Sequence, residues 1–350
     1  MKKIAGLVLV IGIAVLGYVF IVQSRKNLLN VGVSTSGPIL SVTSIPKDIA
    51  PSNPLAIETM RQKSYPGSDL TIKSTLSPGS NYNRYLASYQ SEGLTQYGLL
   101  TVPVGEKPEG GWPVILFNHG YIPPGEYSTE NSYASFISPF AQAGYIVFKP
   151  DYRGNGNSEG VSVQIYVSSD YLTDSMNALA SIRKYKDANP QKIGVMGHSM
   201  GGNITLHEVV ISPDIKAAEI MSGVVGDEAG ILNWWDQRIT ARSITGNDLD
   251  TSYIVQKMII DYGTPANNPD YWNAIDPTKY LANIAAPVQI QVGTSDTAVP
   301  PSFSSSLRDQ LQGAGKTVDY REYRGADHNL APDTSTALSE ALAFFNTYLK

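Results

Sequence analysis

The sequence predicts an α/β protein: a mostly parallel sheet of eight strands, with helices on both faces and a small helical cap insertion. Two observations support this fold class. Beyond residue 110, short apolar runs typical of strands buried on both faces alternate with longer stretches of helical periodicity. One of these runs ends in a sharp turn around Ser199, and a helical stretch follows at once. Strands that alternate with helices form a parallel sheet covered on both faces.

Size and composition fit one large globular domain with additions. The chain has 350 residues, of which 42% are apolar and 16% charged, and its formal net charge is −5. This acidic balance argues against a nucleic-acid partner. Because the chain has no cysteine, it has no disulfide, no thiolate zinc site and no cysteine nucleophile. We expect no metal and no organic cofactor.

The N-terminus predicts a membrane anchor. Residues 4–22 carry no charge, and basic residues flank them on both sides. As a helix this stretch would span roughly 28 Å, close to the thickness of a bilayer core. The alternative is a cleaved signal peptide, whose apolar run is usually shorter. We interpret residues 1–26 as an uncleaved single-pass anchor, with the rest of the chain extracytoplasmic.

The elements that follow are expected in this order. Residues 27–68 form a linker and a short extension that ends in a helix at 56–62, and residues 69–350 form the globular domain. Its first three strands are antiparallel. The expected strands are 69–76, 83–92, 95–105, 114–117, 145–149, 193–196, 216–222, 287–292 and 318–323. The expected helices are 131–143, 169–185, 203–210, 231–240, 252–262, 301–312 and 334–349.

Residues 228–280 break the alternation of strands and helices. This stretch is rich in Trp and Tyr. An insertion of this length at the strand ends of an α/β sheet is typical of a cap over an active site. We therefore predict that Trp234 and Trp235 bind substrate. The alternative is a peripheral pair of helices whose aromatic residues are core.

Ser199 is the candidate nucleophile. A buried strand precedes it, a helix follows it, and glycines stand two positions before and two after it. Such a turn exposes the serine Oγ above the sheet, and the helix N-terminus favours developing negative charge. Residues 156–160 also match Gly-x-Ser-x-Gly. Ser158, however, lies in a loop rich in Gly and Asn without these flanks, so we interpret it as a loop residue.

A base and an orienting acid should follow Ser199 along the chain. Histidine suits the base because its pKa lies near neutral pH. His328 lies in the turn-rich loop after the last predicted strand, where it can reach the carboxyl edge of the sheet. Asp296 follows the strand before that and is the expected acid. Asp227 is the alternative acid.

The oxyanion hole needs two converging backbone N–H groups. We expect one from Met200, at the start of the helix, and the other from Tyr121, in the loop after a buried strand. His119, in that loop, is interpreted as a loop organiser. His198 is expected to point away from the nucleophile, and His207 to be structural.

Several motifs then carry a family resemblance. They are Asn118-His119-Gly120-Tyr121, residues 151–160, Gly197-His198-Ser199-Met200-Gly201-Gly202, Gly293-Thr294-Ser295-Asp296 with Val299-Pro300, and Gly325-Ala326-Asp327-His328. In this order they resemble the α/β-hydrolase superfamily over residues 69–350. The chain is similar to the catalytic domain of prolyl-oligopeptidase-type serine peptidases of the acylaminoacyl-peptidase kind, without their N-terminal β-propeller. The resemblance implies a Ser199–Asp296–His328 triad and an acyl-enzyme intermediate.

The expected function is hydrolysis of small peptides. Because His-Ser-Met-Gly-Gly is common among esterases and lipases, a carboxylesterase or lipase-like hydrolase of acyl esters is the alternative. A non-catalytic, membrane-anchored binding module is an alternative of another class. We expect a small peptide or ester as partner, and the sequence does not indicate an oligomeric state.

Overall fold

The computed structural model describes residues 53–161, 168–241 and 256–350. Its centre is a nine-stranded sheet with the strand order β1-β2-β3-β5-β4-β6-β7-β8-β9. The strands are β1 (Thr71–Leu76), β2 (Tyr82–Ser91), β3 (Leu94–Pro103), β4 (Trp112–Asn118), β5 (Ile146–Pro150), β6 (Ala188–His198), β7 (Ala217–Met221), β8 (Val288–Gly293) and β9 (Val318–Tyr323). All nine segments that were predicted as strands belong to this sheet, with β1 at its edge, so the expected total of eight strands was one too low.

The described helices are α1 (Ile57–Gln62), α2 (Ala134–Gln142), α3 (Asp170–Arg183), α4 (Met200–Ile211), α5 (Glu228–Ala241), α6 (Pro269–Ile275), α7 (Pro301–Gly313) and α8 (Thr334–Leu349). A 3₁₀ helix spans Pro277–Asn283.

The sheet changes from antiparallel to parallel along its width. β1, β2, β3 and β5 pair antiparallel, and every pairing from β5 through β4, β6, β7 and β8 to β9 is parallel. β5 and β7 are buried along their whole length, as expected of parallel strands covered on both faces. The mostly parallel sheet predicted from the sequence is therefore confirmed.

Helices cover both faces of the sheet. On one face, α3, α4 and α7 bury residues such as Leu172, Ile204 and Leu307 against it. On the other face, α2 and α8 bury Phe140 and Phe345. Since α4 begins where β6 ends, this layering places the residue between them at the carboxyl edge of the parallel strands.

The predicted insertion contains α5, α6 and a helical segment at residues 256–262. Part of the predicted helix 252–262 and the whole predicted anchor lie outside the described residues. Among the residues that are described, no helix has both the length and the apolar character needed to cross a membrane.

Candidate active site

Ser199 occupies a strained turn between β6 and α4. Its φ of 57° and ψ of −121° are unusual for a residue with a side chain. Backbone hydrogen bonds hold it there: its N–H donates to the Met221 carbonyl at 3.0 Å, and its carbonyl accepts from the Val224 N–H at 3.1 Å. A Cβ at Gly197 would lie 2.1 Å from the Gly201 carbonyl oxygen, so this turn requires a glycine there.

Asp296 and His328 meet at the ends of two neighbouring strands. Asp296 follows β8, is 7% exposed, and its Oδ2 lies 2.7 Å from His328 Nδ1. Its Oδ1 accepts from the N–H groups of Ala298 and Val299 at 2.8 and 2.9 Å. Because both carboxylate oxygens are engaged, the acid is fixed in orientation. Nδ1 of His328 therefore carries the hydrogen, which leaves Nε2 free to accept a proton.

One pocket brings Ser199 and His328 together. It has a volume of about 340 Å³, and its walls include Tyr121, Ile122 and Phe136. The sequence-predicted nucleophile, base and acid therefore lie at one site in the structure. This placement is what the proposed triad requires.

His198 and Tyr133 form a chain of hydrogen bonds beside this pocket. The N–H of Gly120 donates to Tyr133 Oη at 3.0 Å, and Tyr133 Oη lies 2.8 Å from His198 Nδ1. His198 Nε2 lies 3.0 Å from the carbonyl of His328. A carbonyl only accepts, so Nε2 carries the hydrogen and Nδ1 accepts the Tyr133 hydroxyl hydrogen. Burial, and next the nearby His328, lower the pKa of His198 to about 4, which keeps it neutral.

Both predicted oxyanion donors lie near Ser199. Met200 is the first residue of α4, so its N–H belongs to the first helical turn, which lacks intrahelical acceptors. Tyr121 lines the pocket and follows Gly120, where a Cβ would lie 3.1 Å from Ser199 Cβ. This arrangement is compatible with the predicted oxyanion hole.

A buried polar cluster holds the loop that carries Tyr121. Asp151, directly after β5, accepts hydrogen bonds from the hydroxyls of Tyr127 and Thr129. Lys149 Nζ lies 3.7 Å from the Asp151 carboxylate, and burial lowers the pKa of Lys149 to about 8. Asp151 therefore stabilises the loop that carries Tyr121, and it does so from outside the Ser199 pocket.

Of the remaining histidines of the prediction, His119 and His207 do not line the Ser199 pocket. His119 is fully buried and stacks on Tyr152 with ring centroids 4.2 Å apart, and burial lowers its pKa to about 3. His207 Nδ1 donates to the Asn203 carbonyl at 2.9 Å, within its own helix. His198 lines the pocket beside Ser199, and its two ring nitrogens are engaged by Tyr133 and the His328 carbonyl; that its side chain points away from the nucleophile stays a prediction.

The two competing site residues have structural partners. Ser158 is 7% exposed, and its Oγ accepts from the Tyr97 N–H at 2.9 Å. Asp227 accepts from the Gly230 N–H at 2.7 Å, in the first turn of α5. Both side chains are therefore used to hold backbone in place.

Trp234 and Trp235 lie in an apolar cluster on α5. Their ring centroids are 4.7 Å apart, and they pack with the buried residues Val224, Ile231 and Val299. Neither tryptophan is among the residues that line the Ser199 pocket. Their assignment to substrate binding stays a prediction.

Sequence reasoning missed the role of Tyr133. It lies in no motif, and its partners Gly120 and His198 are 13 and 65 residues away in the chain. The available indication was His198, which stands beside the nucleophile at the end of a buried strand. A buried ring nitrogen needs a hydrogen-bond partner, so a polar side chain such as that of Tyr133 was to be expected near it.

The fold and this site define a serine hydrolase of the α/β-hydrolase superfamily. The family model described as the prolyl oligopeptidase family matches residues 131–350. The chain belongs to the prolyl oligopeptidase family.

Individual relatives include both peptidases and esterases. The chain is 25% identical to the uncharacterized peptidase YtmA of Bacillus subtilis, over 73% of this chain and 90% of the relative. An acylaminoacyl peptidase of Pyrococcus horikoshii matches in structure with a TM-score of 0.59 and 20% identity, covering 77% of this chain and 42% of its own. Acetyl xylan esterase 1 of a Thermoanaerobacterium species matches with a TM-score of 0.60 and 16% identity, covering 83% and 90%. The match thus covers less than half the length of this peptidase and of a puromycin-hydrolyzing peptidase of Mycobacterium tuberculosis.

Proposed function

We propose that the protein is a serine peptidase that cleaves small peptides through an acyl-enzyme formed on Ser199. The observation that carries the proposal is the contact between buried Asp296 and His328, 2.7 Å apart, in which His328 lines the same pocket as Ser199. Membership of the prolyl oligopeptidase family supports the choice of peptides.

The proposed cycle uses only these side chains and two backbone N–H groups. His328 Nε2 takes the proton of Ser199 Oγ as Oγ attacks the carbonyl carbon, while Asp296 stabilises the imidazolium. The N–H groups of Tyr121 and Met200 bind the oxyanion. His328 then protonates the leaving group, and water repeats the path to release the acid.

The identity of the nucleophile is tested by labelling with a fluorophosphonate probe. The full-length protein should be labelled, Ser199→Ala should not, and Ser158→Ala should be labelled at the wild-type rate. The Ser158 variant is the matched control, because it removes the serine of the other Gly-x-Ser-x-Gly. Undiminished labelling of Ser199→Ala would exclude this nucleophile.

Acyl ester hydrolysis is the second candidate activity. It is favoured by the match that covers 90% of an acetyl xylan esterase chain, because that esterase has about the same extent as the present chain. A parallel screen of aminoacyl-nitroanilides and acyl nitrophenyl esters separates the two activities. A higher kcat/KM for every ester than for any nitroanilide with the same acyl group would reverse our choice. No turnover of either series would favour the non-catalytic binding module.

We propose that Trp234 and Trp235 form the wall of a pocket for an apolar substrate side chain. The cluster that contains them includes Val224, whose N–H binds the Ser199 carbonyl, and Val299, whose N–H binds Asp296. It therefore adjoins both the nucleophile and the acid. Trp234→Ala should lower kcat/KM for a leucyl or phenylalanyl substrate much more than for an alanyl one, and an equal loss for all three would reject this wall.

We also propose that residues 1–26 anchor the protein, with the catalytic domain extracytoplasmic. The uncharged run at residues 4–22 supports this. The full chain should stay in the membrane fraction after alkaline carbonate extraction and be cleaved by protease added to intact cells. Recovery in the soluble fraction would reject the anchor, and protection from protease would reverse the orientation.

A further inference from the structure

Glu208 lies in a closed ring of buried hydrogen bonds between three elements. Its Oε1 is 2.6 Å from Ser175 Oγ of α3, and its Oε2 is 2.7 Å from Asn118 Nδ2 at the end of β4. Ser175 Oγ is in turn 2.6 Å from Asn118 Oδ1. Asn118 Nδ2 also lies 3.0 Å from Thr205 Oγ1, one turn earlier on α4. Glu208, Asn118 and Ser175 are each fully buried or nearly so.

The hydrogens in this ring can be counted. Ser175 has one hydroxyl hydrogen but faces two oxygens, Asn118 Oδ1 and Glu208 Oε1. An amide oxygen cannot donate, so if Ser175 donates to Asn118, Glu208 must donate to Ser175. If the Asn118 amide is turned over, its oxygen faces Glu208 Oε2 instead, and that pair also needs a hydrogen. In either orientation the ring is complete only when Glu208 carries a proton.

The surroundings of Glu208 favour this protonated form. Burial raises the pKa of Glu208 to about 7, and the hydrogen bonds from Ser175 and Asn118 lower it less than burial raises it. Glu208 also interacts electrostatically with the Tyr152 hydroxyl, which stays neutral because burial raises its pKa well above the usual value.

Charged groups on α3, on α1 and on the 3₁₀ helix, which pack around α4, are paired with other residues. Asp174 of α3 is bound by Arg153, and the Glu58 and Arg61 side chains of α1 bind each other. Lys279 of the 3₁₀ helix lies 3.5 Å from Asp276. Each of these charges has an opposite charge beside it.

The ring joins the two elements that carry the proposed oxyanion donors. Asn118 is followed by His119, Gly120 and Tyr121, and α4 begins at Met200. The same elements touch directly, because a Cβ at Gly201 would lie 2.0 Å from the Asn118 carbonyl oxygen. We propose that Glu208 is a positioning residue, protonated in the active enzyme, which fixes the spacing between the Tyr121 and Met200 N–H groups.

Loss of this proton should disturb the spacing. Two oxygens 2.6 Å apart would then face each other without a hydrogen, and a carboxylate would be left in an apolar interior. The contribution of Glu208 to the stability of the folded protein is fully present below the pKa of a glutamate in the unfolded chain. It is lost as the pH rises through about 7, where folded Glu208 gives up its proton. Activity should therefore have an alkaline limb that Glu208 causes.

The test compares the pH profile of kcat for the full-length wild type and Glu208→Gln, with p-nitrophenyl butyrate as substrate. The glutamine amide supplies the donor and the acceptor of protonated Glu208 but does not titrate. We expect the ratio of the Glu208→Gln kcat to the wild-type kcat to rise about tenfold between pH 6 and pH 8, because a group with a pKa of about 7 loses most of its protons in that interval. KM should change less than kcat, since the oxyanion forms only after binding.

Glu219→Gln is the matched control. Glu219 is also a fully buried carboxyl whose pKa burial raises, but it lies on β7 and away from the ring. Its substitution should leave the shape of the kcat profile unchanged. If Glu208→Gln retains the wild-type profile, or if Glu219→Gln changes it equally, the proposal is overturned.

A second readout does not depend on catalysis. The infrared difference spectrum between wild type and Glu208→Gln at pH 6 should contain the carbonyl stretch of a protonated carboxylic acid, and this band should vanish at pH 8. A carboxylate band at pH 6 would overturn the proposal. The proposal rests on serine hydrolase activity and not on the choice between peptides and esters, so the infrared result can fail or succeed while the proposed substrate class stands.

Discussion

Removal of the Tyr133 hydroxyl should impair both the stability and the activity of the enzyme. Tyr133→Phe keeps the ring but leaves the buried N–H of Gly120 and the buried Nδ1 of His198 without their partner. Burial raises the pKa of Tyr133, so the hydroxyl is neutral and present throughout the assay range. The variant therefore isolates the loss of two hydrogen bonds.

The magnitude follows from the two groups left unpaired. An orphaned buried polar group costs about 1–3 kcal/mol, so we expect a loss of about 2–6 kcal/mol in the free energy of unfolding. For a domain of this size that corresponds to a fall in Tm of roughly 4–12 °C. The chain of bonds runs from the loop before Tyr121 to the backbone of His328, and displacement at either end should lower kcat about 10–100-fold.

The assay is steady-state hydrolysis of p-nitrophenyl butyrate together with thermal unfolding. Tyr348→Phe is the control, because Tyr348 is 41% exposed and lies away from the site. We expect its kcat and Tm to equal those of the wild type. A Tyr133→Phe variant with both values unchanged would refute the reasoning, since it would mean that neither buried group depends on the hydroxyl.

Three further predictions concern the acid, the second serine motif and a buried carboxyl. Asp296→Asn should lower kcat about 10³–10⁴-fold with little change in Tm, because an amide favours the wrong tautomer of His328; a smaller loss, measured with the same ester, would argue against Asp296 as the orienting acid. Ser158→Ala should keep the wild-type kcat but lose about 1–2 kcal/mol of stability in urea titration, because the Tyr97 N–H loses its acceptor; a wild-type urea midpoint would contradict this. Neither carboxyl oxygen of Glu219 has a hydrogen-bond partner, and burial raises its pKa well above the usual value. Wild-type stability should thus fall as pH rises above the pKa of the unfolded glutamate, and the Tm gain of Glu219→Gln should be larger at pH 8 than at pH 4.5; a gain that is constant with pH would be inconsistent with a neutral Glu219.

Local sequence patterns predicted the elements near the site well. The strand expected at 318–323 and the helix expected at 334–349 have the bounds of β9 and α8. Strong apolar periodicity and Pro or Gly at the ends explain this success. The sequence also indicated Ser199, Asp296 and His328 in this order, because each follows a predicted strand.

The supports of the site were beyond local reasoning. The Glu208 ring joins residues 90 and 33 positions apart in the chain, and only the tertiary fold brings them together. The segment that forms β1 was predicted as a strand, but β1 is almost fully exposed, so no buried apolar face indicates that it joins the main sheet as a ninth strand. A charged residue inside an apolar strand, such as Lys149, was the visible indication that buried networks exist.

The hydrogen bonds described above that fix Ser199, Asp296 and His328 come from three stretches of chain, at residues 120–133, 198–224 and 296–299. None of them comes from the described part of 228–280, where the aromatic cluster lies. The proposed substrate wall on α5 thus lies on a different stretch of chain from the hydrogen bonds that hold the proposed catalytic groups. Under that proposal, substitutions on α5 change substrate preference first, and reach the catalytic groups only through Val224 and Val299.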